Sequence, residues 1–491
     1  MLQPLTVSLF LTVFALLIII SVVVSRASQA SGIPFALLFL AVGLIAGEEG
    51  LGRISFENYQ FSFDLGTVAL VLILFDGGLN TPLQRIKRGL APSAVLATLG
   101  VVGTAALVGA AALALGFTWM QAFLLGAIVS STDAAAVYPV LRASGIQLKR
   151  RVGLVLELES GLNDPMAVIL TVELTQSLLT NRPLGIATAG QIIYALAVGA
   201  IGGVIVGWIG RLIIPRARPP AGGLYPVLTL ALACLAYGLP ALANASGFLG
   251  VYVAAMIIGN GPMPYRSGVV HFHDSLAWFA QISMFLMLGL LAFPSQLLSV
   301  AWLGLGIGLF LAIVARPLVA VLCLLPFRYP VRETLFIGWA GLRGAVPIIL
   351  ATYPVIARID GAQTIFNVVF FIVLINAIIP GATIKWAVKW LRLESGEPPP
   401  PPAAVDIVST EMLHGGEILT FFIGASAAVC GAAIADLSFP AESNILLVIR
   451  AHELIPPRGA TVLMPGDHVY VLCRPEDRAF VHLIFGSAIS D

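Results

Sequence analysis

Thirteen apolar stretches follow one another between residues 5 and 384, and they leave few folds open. They cover 5–24, 33–46, 64–80, 91–115, 119–141, 152–175, 189–210, 224–239, 246–259, 275–293, 297–325, 333–352 and 362–384. A helix crosses a bilayer with about 20 apolar residues, fewer where neighbours bury it. The second, eighth and ninth stretches are the short ones. No water-soluble core could hold them all. The chain is 59% hydrophobic and 10% charged, whereas soluble domains are about 25% charged. A soluble enzyme, a disordered chain and a nucleic-acid binder are poor readings, and a formal charge of +1 supplies no field to gather a polyanion. The expectation is an all-α polytopic membrane protein with about 13 transmembrane helices.

A secretory leader needs a basic region ahead of its apolar core. No Lys or Arg precedes Arg26, so the first stretch reads as a retained helix. Basic residues in short loops set orientation, because they stay on the cytoplasmic side. With the N-terminus outside, the cytoplasmic loops collect Arg26, then Arg85, Lys87 and Arg88, then Arg142 and Lys149–Arg151, then the groups around Arg216, Arg266, Arg328 and Lys389. Only Arg53, Arg182 and Arg358 fall outside. One crossing more or fewer midway would scramble that division. The C-terminus is then cytoplasmic, in a multi-pass protein of a bacterial inner membrane.

At Glu394 the character changes. The reading is a membrane domain over 1–393, a stiff Pro-rich linker over 394–403 and a small α/β cytoplasmic domain over 404–491. Stretches 444–451 and 467–474 read as strands, the second opened by the turn Met464-Pro-Gly-Asp467. No GxGxxG occurs, so a complete dinucleotide-binding unit is absent. The cysteines Cys234, Cys323, Cys430 and Cys473 are scattered without CxxC spacing and suggest neither a metal site nor a disulfide framework.

Ionisable side chains in crossing segments are costly and face a protein or water-filled interior. Here they are few: Asp76, Asp133, Glu157, Glu159, Asp164, Glu173, Arg316 and Arg343. Glu173 and Arg316 read as structural. Asp76 fits a helix cap as well as an ion path. The sixth stretch contains Glu157-Leu-Glu-Ser-Gly-Leu-Asn-Asp-Pro165. At i,i+4 spacing, Glu159 stacks with Asn163 and Ser160 with Asp164, and Pro165 frees a carbonyl nearby. Such an oxygen-rich wall suits a hard cation. A carboxylate in a low-dielectric site also holds a proton more readily when no cation is there. Cation and proton then compete for one place, which is itself a mechanism of exchange. The bland alternative is that these residues only pack helices. Two carboxylates and an Asn within six residues argue against it.

The fifth stretch carries Ser130-Ser-Thr-Asp133, and the twelfth carries Gly338-Trp-Ala-Gly-Leu-Arg343-Gly. Both read as helices interrupted at mid-membrane, where half-helix ends build ion sites. They are counterparts if the first six spans repeat, inverted, as the last six about a central seventh. Arg343 either balances half-helix C-termini or pairs with Glu159.

Through Ser-Thr-Asp133, Glu-Ser-Gly-Leu-Asn-Asp164, Gly-Leu-Arg-Gly344 and Phe-Asp-Gly-Gly-Leu79, residues 1–393 resemble the NhaP-type monovalent cation/proton antiporters. The resemblance implies inverted repeats with two broken crossing helices, a homodimer, and a six-helix core that moves like an elevator. It implies Asp164 and Asp133 as the exchanging carboxylates, a monovalent cation held among Asp164, Asp133, Thr132 and Ser160, with Asn163 and Asp76 also contributing, and Glu159 with Arg343 as a structural ion pair. Asn163 stands where electrogenic members carry Asp, which points to one-for-one, electroneutral exchange. The tail resembles an RCK C-terminal (TrkA-C) domain through Leu463-Met-Pro-Gly-Asp-His-Val469. Such domains dimerise and often bind a small regulatory ligand, here expected within 404–491. Antiporters with such tails often move potassium.

The expected activity is export of cytoplasmic K+, or Na+, against external H+, serving potassium, pH and cell-volume homeostasis. The partners are those ions, the bilayer and a second copy of the chain, with no nucleic acid and no cofactor. A regulated cation channel is the competing class, but no Thr-Val-Gly-Tyr-Gly filter is present. An intramembrane enzyme needs a nucleophile–base pair or metal cluster, and every His lies outside the motif stretches: His271 and His273 in an expected loop, His414, His452, His468 and His482 in the tail.

Overall fold

A computed structural model describes residues 3–31, 34–81, 83–134, 136–180, 183–395, 417–425, 427–451, 453–474 and 476–485. The linker beyond Ser395, tail residues 404–416 with His414, and His452 lie outside the described residues, as do Arg182 and the side chains of Arg26, Arg85, Lys87, Arg88 and Arg142. The chain forms two compact units. One comprises Met1–Arg218, Pro226–Met263 and Val270–Glu397, and the other includes the C-terminal sheet.

In chain order the helices are α1 (Gln3–Ser31), α2 (Phe35–Ala46), α3 (Tyr59–Leu79), α4 (Leu83–Val95), α5 (Val101–Ala114), α6 (Trp119–Ile128), α7 (Val137–Ala143), α8 (Arg150–Thr180), α9 (Ile186–Ala217), α10 (Leu224–Leu242), α11 (Gly247–Gly259), α12 (Arg266–Leu290), α13 (Pro294–Ser299), α14 (Ala301–Phe310), α15 (Arg316–Leu324), α16 (Val331–Trp339), α17 (Val346–Ile356) and α18 (Ala362–Leu391). Wide π turns, Leu96–Gly100 and Leu311–Ala315, join α4 to α5 and α14 to α15. Helix starts follow local chemistry. Asn58 accepts from the Phe61 N–H at 2.9 Å to cap α3, and Thr118 with Gln121 forms a reciprocal capping box on α6.

Helices overlap every predicted apolar stretch, but most run further, because polar turns continue them past where hydropathy stops. Among the described residues, six helical runs are long and apolar enough to cross a membrane: 59–79, 89–114, 186–217, 224–242, 301–327 and 362–391. Large apolar side chains face outward on them, Ile193 and Trp208 of α9 among them, as a lipid-facing surface requires. His271 and His273, expected in a loop, lie within α12. His273 is buried, with Nε2 2.8 Å from the Thr229 hydroxyl and its ring 4.8 Å from that of Phe75.

Close packing rests on small residues. A Cβ on Gly199, Gly203 or Gly207 of α9 would run into Ser246, Gly250 or Ala254, the last two on α11. This spacing lets two backbones meet in lipid, where van der Waals contact replaces the hydrophobic drive. A second core gathers Val137, Val155, Phe336, Leu342 and Val388 from α7, α8, α16, the segment after it and α18.

The C-terminal unit holds an antiparallel sheet ordered β1-β4-β2-β3, with β1 Glu417–Phe422, β2 Asn444–Arg450, β3 Glu453–Ile455 and β4 His468–Cys473, and a helix α19, Arg478–Phe485. Strands β2 and β4 fall on the two predicted strand stretches. Val448, Val469, Val471, Val481 and Phe485 form their core. Gly466 sits at φ +96°, a conformation glycine permits. Beside it, the buried Asp467 accepts from the Met464 N–H and from Arg450, at 2.8 and 2.7 Å.

Candidate functional site

Two helices break where the sequence interrupts them. The first break separates α6 from α7 and contains Thr132 and Asp133; the second separates α16 from α17 and contains Gly341–Gly344. Freed backbone groups must find partners inside a membrane, and the breaks supply one another. The Asp133 N–H donates to the Leu342 carbonyl at 2.8 Å. Nε of Arg343 donates to the Val129 carbonyl at 2.9 Å, and its Nη1 to the Gly341 carbonyl. Arg343 thus lies at the C-terminal ends of both α6 and α16, where carbonyls concentrate partial negative charge. Asp133 lies at the other side, beside Gly344 and the start of α17. A Cβ on Gly344 would collide with its carboxylate.

Helix α8 runs unbroken through both breaks, and its i,i+4 stacking divides the motif between two faces. Ser160 and Asp164 line a cavity of about 860 Å³, together with Asp133, Asp76 and Glu157. Ser160 Oγ accepts the Ala134 N–H at 3.1 Å, tying α8 to the first break. Asp164 is 7% exposed; it hydrogen-bonds with Ser131 and lies within Coulombic range of Asp133. The neighbouring face looks away from the cavity. There the Asn163 amide donates to the Thr132 hydroxyl at 2.5 Å. Thr132 and Asn163, both expected around the cation, lie behind the cavity wall. Glu173 does not line it.

The expected Glu159–Arg343 ion pair does not form. Glu159 pairs instead with Arg316 of α15, both 1% exposed. The reason is that the freed carbonyls of the breaks claim the Arg343 guanidinium, while the π turn Leu311–Ala315 rotates α15 to aim Arg316 at α8. Arg343 remains within Coulombic range of both. Two cations and one anion therefore stand behind a cavity lined by carboxylates.

The sequence reading missed Asp274, Tyr252 and Trp278, which also line the cavity. Asp274 follows His273 as Asp76 follows Phe75, so the ring contact between Phe75 and His273 sets the two carboxylates on neighbouring helices. The Asn80 amide caps α3 by donating to the Asp76 backbone carbonyl at 3.0 Å and also donates to the Asp76 carboxylate at 3.1 Å, while Asp76 lines the cavity. Among the described residues, no group of His, Cys, Asp and Glu has the arrangement of a metal-ion cage.

Comparison with known proteins places these features in context. Residues 12–390 match the family described as sodium/hydrogen exchanger, transmembrane, and residues 418–485 match the TrkA-C domain. The chain is 40% identical over 99% of its length, and 84% of the relative's, to "K(+)/H(+) antiporter NhaP" of Alkalimonas amylolytica. It is 37% identical over 98% of its length and 84% of the relative's to "K(+)/H(+) antiporter NhaP2" of Shewanella sp. (strain ANA-3). Among solved structures, the sodium proton antiporter MjNhaP1 from Methanocaldococcus jannaschii at pH 8 superposes with a TM-score of 0.67 at 23% identity, covering 80% of this chain and 100% of that one.

Proposed function

The chain belongs to the sodium/hydrogen exchanger family, and from that premise we propose that it exports cytoplasmic K+ in exchange for external H+, one for one. The observation that carries this reading is the buried Asp164 beside Asp133 on a cavity wall. A carboxylate in such a place needs a counter-charge, and either a cation or a proton supplies it, not both. Ser160 and Asp133 complete the cation's oxygen shell. Asn163 holds Thr132 in place, and Asn163 in place of a third acid limits each cycle to a neutral swap. Two relatives similar over nearly the whole chain are named K+/H+ antiporters, which supports potassium over sodium.

The finer reading extends this. The chain crosses the inner membrane thirteen times, N-terminus outside, and its first six and last six spans repeat in inverted sense, the two breaks being counterparts. A homodimer anchors the protein while the unit carrying α6, α7, α8, α16 and α17 moves as an elevator. The membrane domain over 1–393 is tuned through the linker by the C-terminal domain over 404–491, which binds a small ligand. Together these serve potassium, pH and volume homeostasis.

The test uses proteoliposomes loaded with a pH-sensitive dye and K+, Na+ or Li+ added separately. Dequenching is expected with K+ first, and none in Asp164→Asn that still reconstitutes. Full ΔpH-driven exchange in Asp164→Ala would overturn the assignment.

A further inference from the structure

One pocket lies apart from the ion cavity. Its volume is about 500 Å³, and Trp208, Arg211, Leu212, Pro215 and Arg216 of α9 line it with Pro262. The five α9 residues fall at i, i+3, i+4, i+7 and i+8, which is one face of a helix. They sit at the end of α9 that the basic residues mark as cytoplasmic. Here Trp208 is 63% exposed, as aromatic side chains are at a bilayer interface.

The two guanidiniums are held rather than loose. A Cβ on Gly261 would meet the Arg211 stem, so that stem lies along the loop after α11. Nη1 of Arg216 donates back to the Leu212 carbonyl at 2.9 Å. Neither arginine has an acidic partner among the described residues. The sequence explains why: no Asp or Glu occurs anywhere between Glu173 and Asp274, while Arg211, Arg216 and Arg218 all do. Cations gathered at a membrane surface with no acid in reach are completed by an anion from outside the chain. Fork-shaped donors suit a phosphate, and the flanking Trp and Pro surfaces suit the first methylenes of an acyl chain.

We propose that this pocket is a binding site for the phosphate of an anionic phospholipid of the cytoplasmic leaflet. The lipid's phosphate bridges Arg211 and Arg216, and its glycerol end packs on Trp208 and Pro262. Free phosphate shares the headgroup chemistry but lacks the acyl contact.

The full-length antiporter, delipidated in detergent, is titrated with phosphatidylglycerol, phosphatidylcholine or inorganic phosphate, and lipid retention is read by native mass spectrometry. Phosphatidylglycerol is expected to bind and the other two to bind far more weakly. The double variant R211Q/R216Q is expected to bind phosphatidylglycerol about 30-fold more weakly, two basic residues each contributing about 5-fold. The single variant R216Q removes an exposed side chain without a packed stem. Its expected loss, about 5-fold, keeps the test open if the double variant does not fold. Equal retention of phosphatidylcholine, equal binding by both variants, or binding of inorganic phosphate as tight as that of the lipid would each overturn the proposal.

Discussion

The Asn163 amide on α8 donates to the Thr132 hydroxyl in the first break at 2.5 Å, and both side chains are buried. This bond fixes the segment that carries Asp133 to the helix that carries Asp164. Asn163→Ala should lower stability by about 1–3 kcal/mol, because a buried acceptor loses its donor. Thermal unfolding of the purified protein reads that loss, and the KM for the cation in proteoliposomes should rise in parallel. Unchanged values of both would mean that the bond holds nothing in place.

Glu159 has two arginines in reach and pairs with one. A buried pair broken on one side costs about 3–5 kcal/mol, whereas removing both partners costs much less. E159Q/R316Q should therefore be more stable than E159Q alone, and E159Q/R343Q should recover less than E159Q/R316Q does. Thermal unfolding of the single and double variants distinguishes the two. The reverse ranking would restore Arg343 as the partner.

Ser160→Ala leaves the Ala134 N–H at the edge of the cavity without its acceptor. A lost hydrogen bond of this kind is worth about 1 kcal/mol, or about 5-fold in KM for the cation, with coupling to protons retained. Steady-state exchange at varied cation concentration measures it.

The C-terminal sheet should be acid-sensitive through His468 on β4. Burial holds its imidazole below the ordinary value, against an opposing pull from Asp467. The unfolded ring takes its proton near 6.5, before the folded one does. The stabilisation is therefore fully present above about 6.5 and is lost as pH falls through the folded value. Amide exchange across β4 in the full-length protein, corrected for intrinsic rates, should quicken on acidification, and H468Q should flatten that response.

Much of this arrangement is legible in the chain itself. The stacking of Ser160 with Asp164 and of Glu159 with Asn163 follows from helical spacing, and the structure puts each pair on its own face of α8. The breaks announce themselves as polar or charged residues among small ones. Two features are hidden for physical reasons. Periodicity cannot tell which arginine meets Glu159, because a π turn shifts the phase of α15 just ahead of Arg316. Asp274 escapes notice because it lies in a polar stretch, among His271, His273 and Ser275, that hydropathy reads as a loop. The contact between Phe75 and His273 brings it beside Asp76.

The breaks are stitched on both sides, by Asp133 to Leu342 and by Arg343 to Val129. A push on any one of the four short helices is thus transmitted to the other three. Such a knot cannot unlatch at its outer edge while staying shut at its inner edge. On the proposed elevator reading, the whole knot slides as one body against the wall across the cavity.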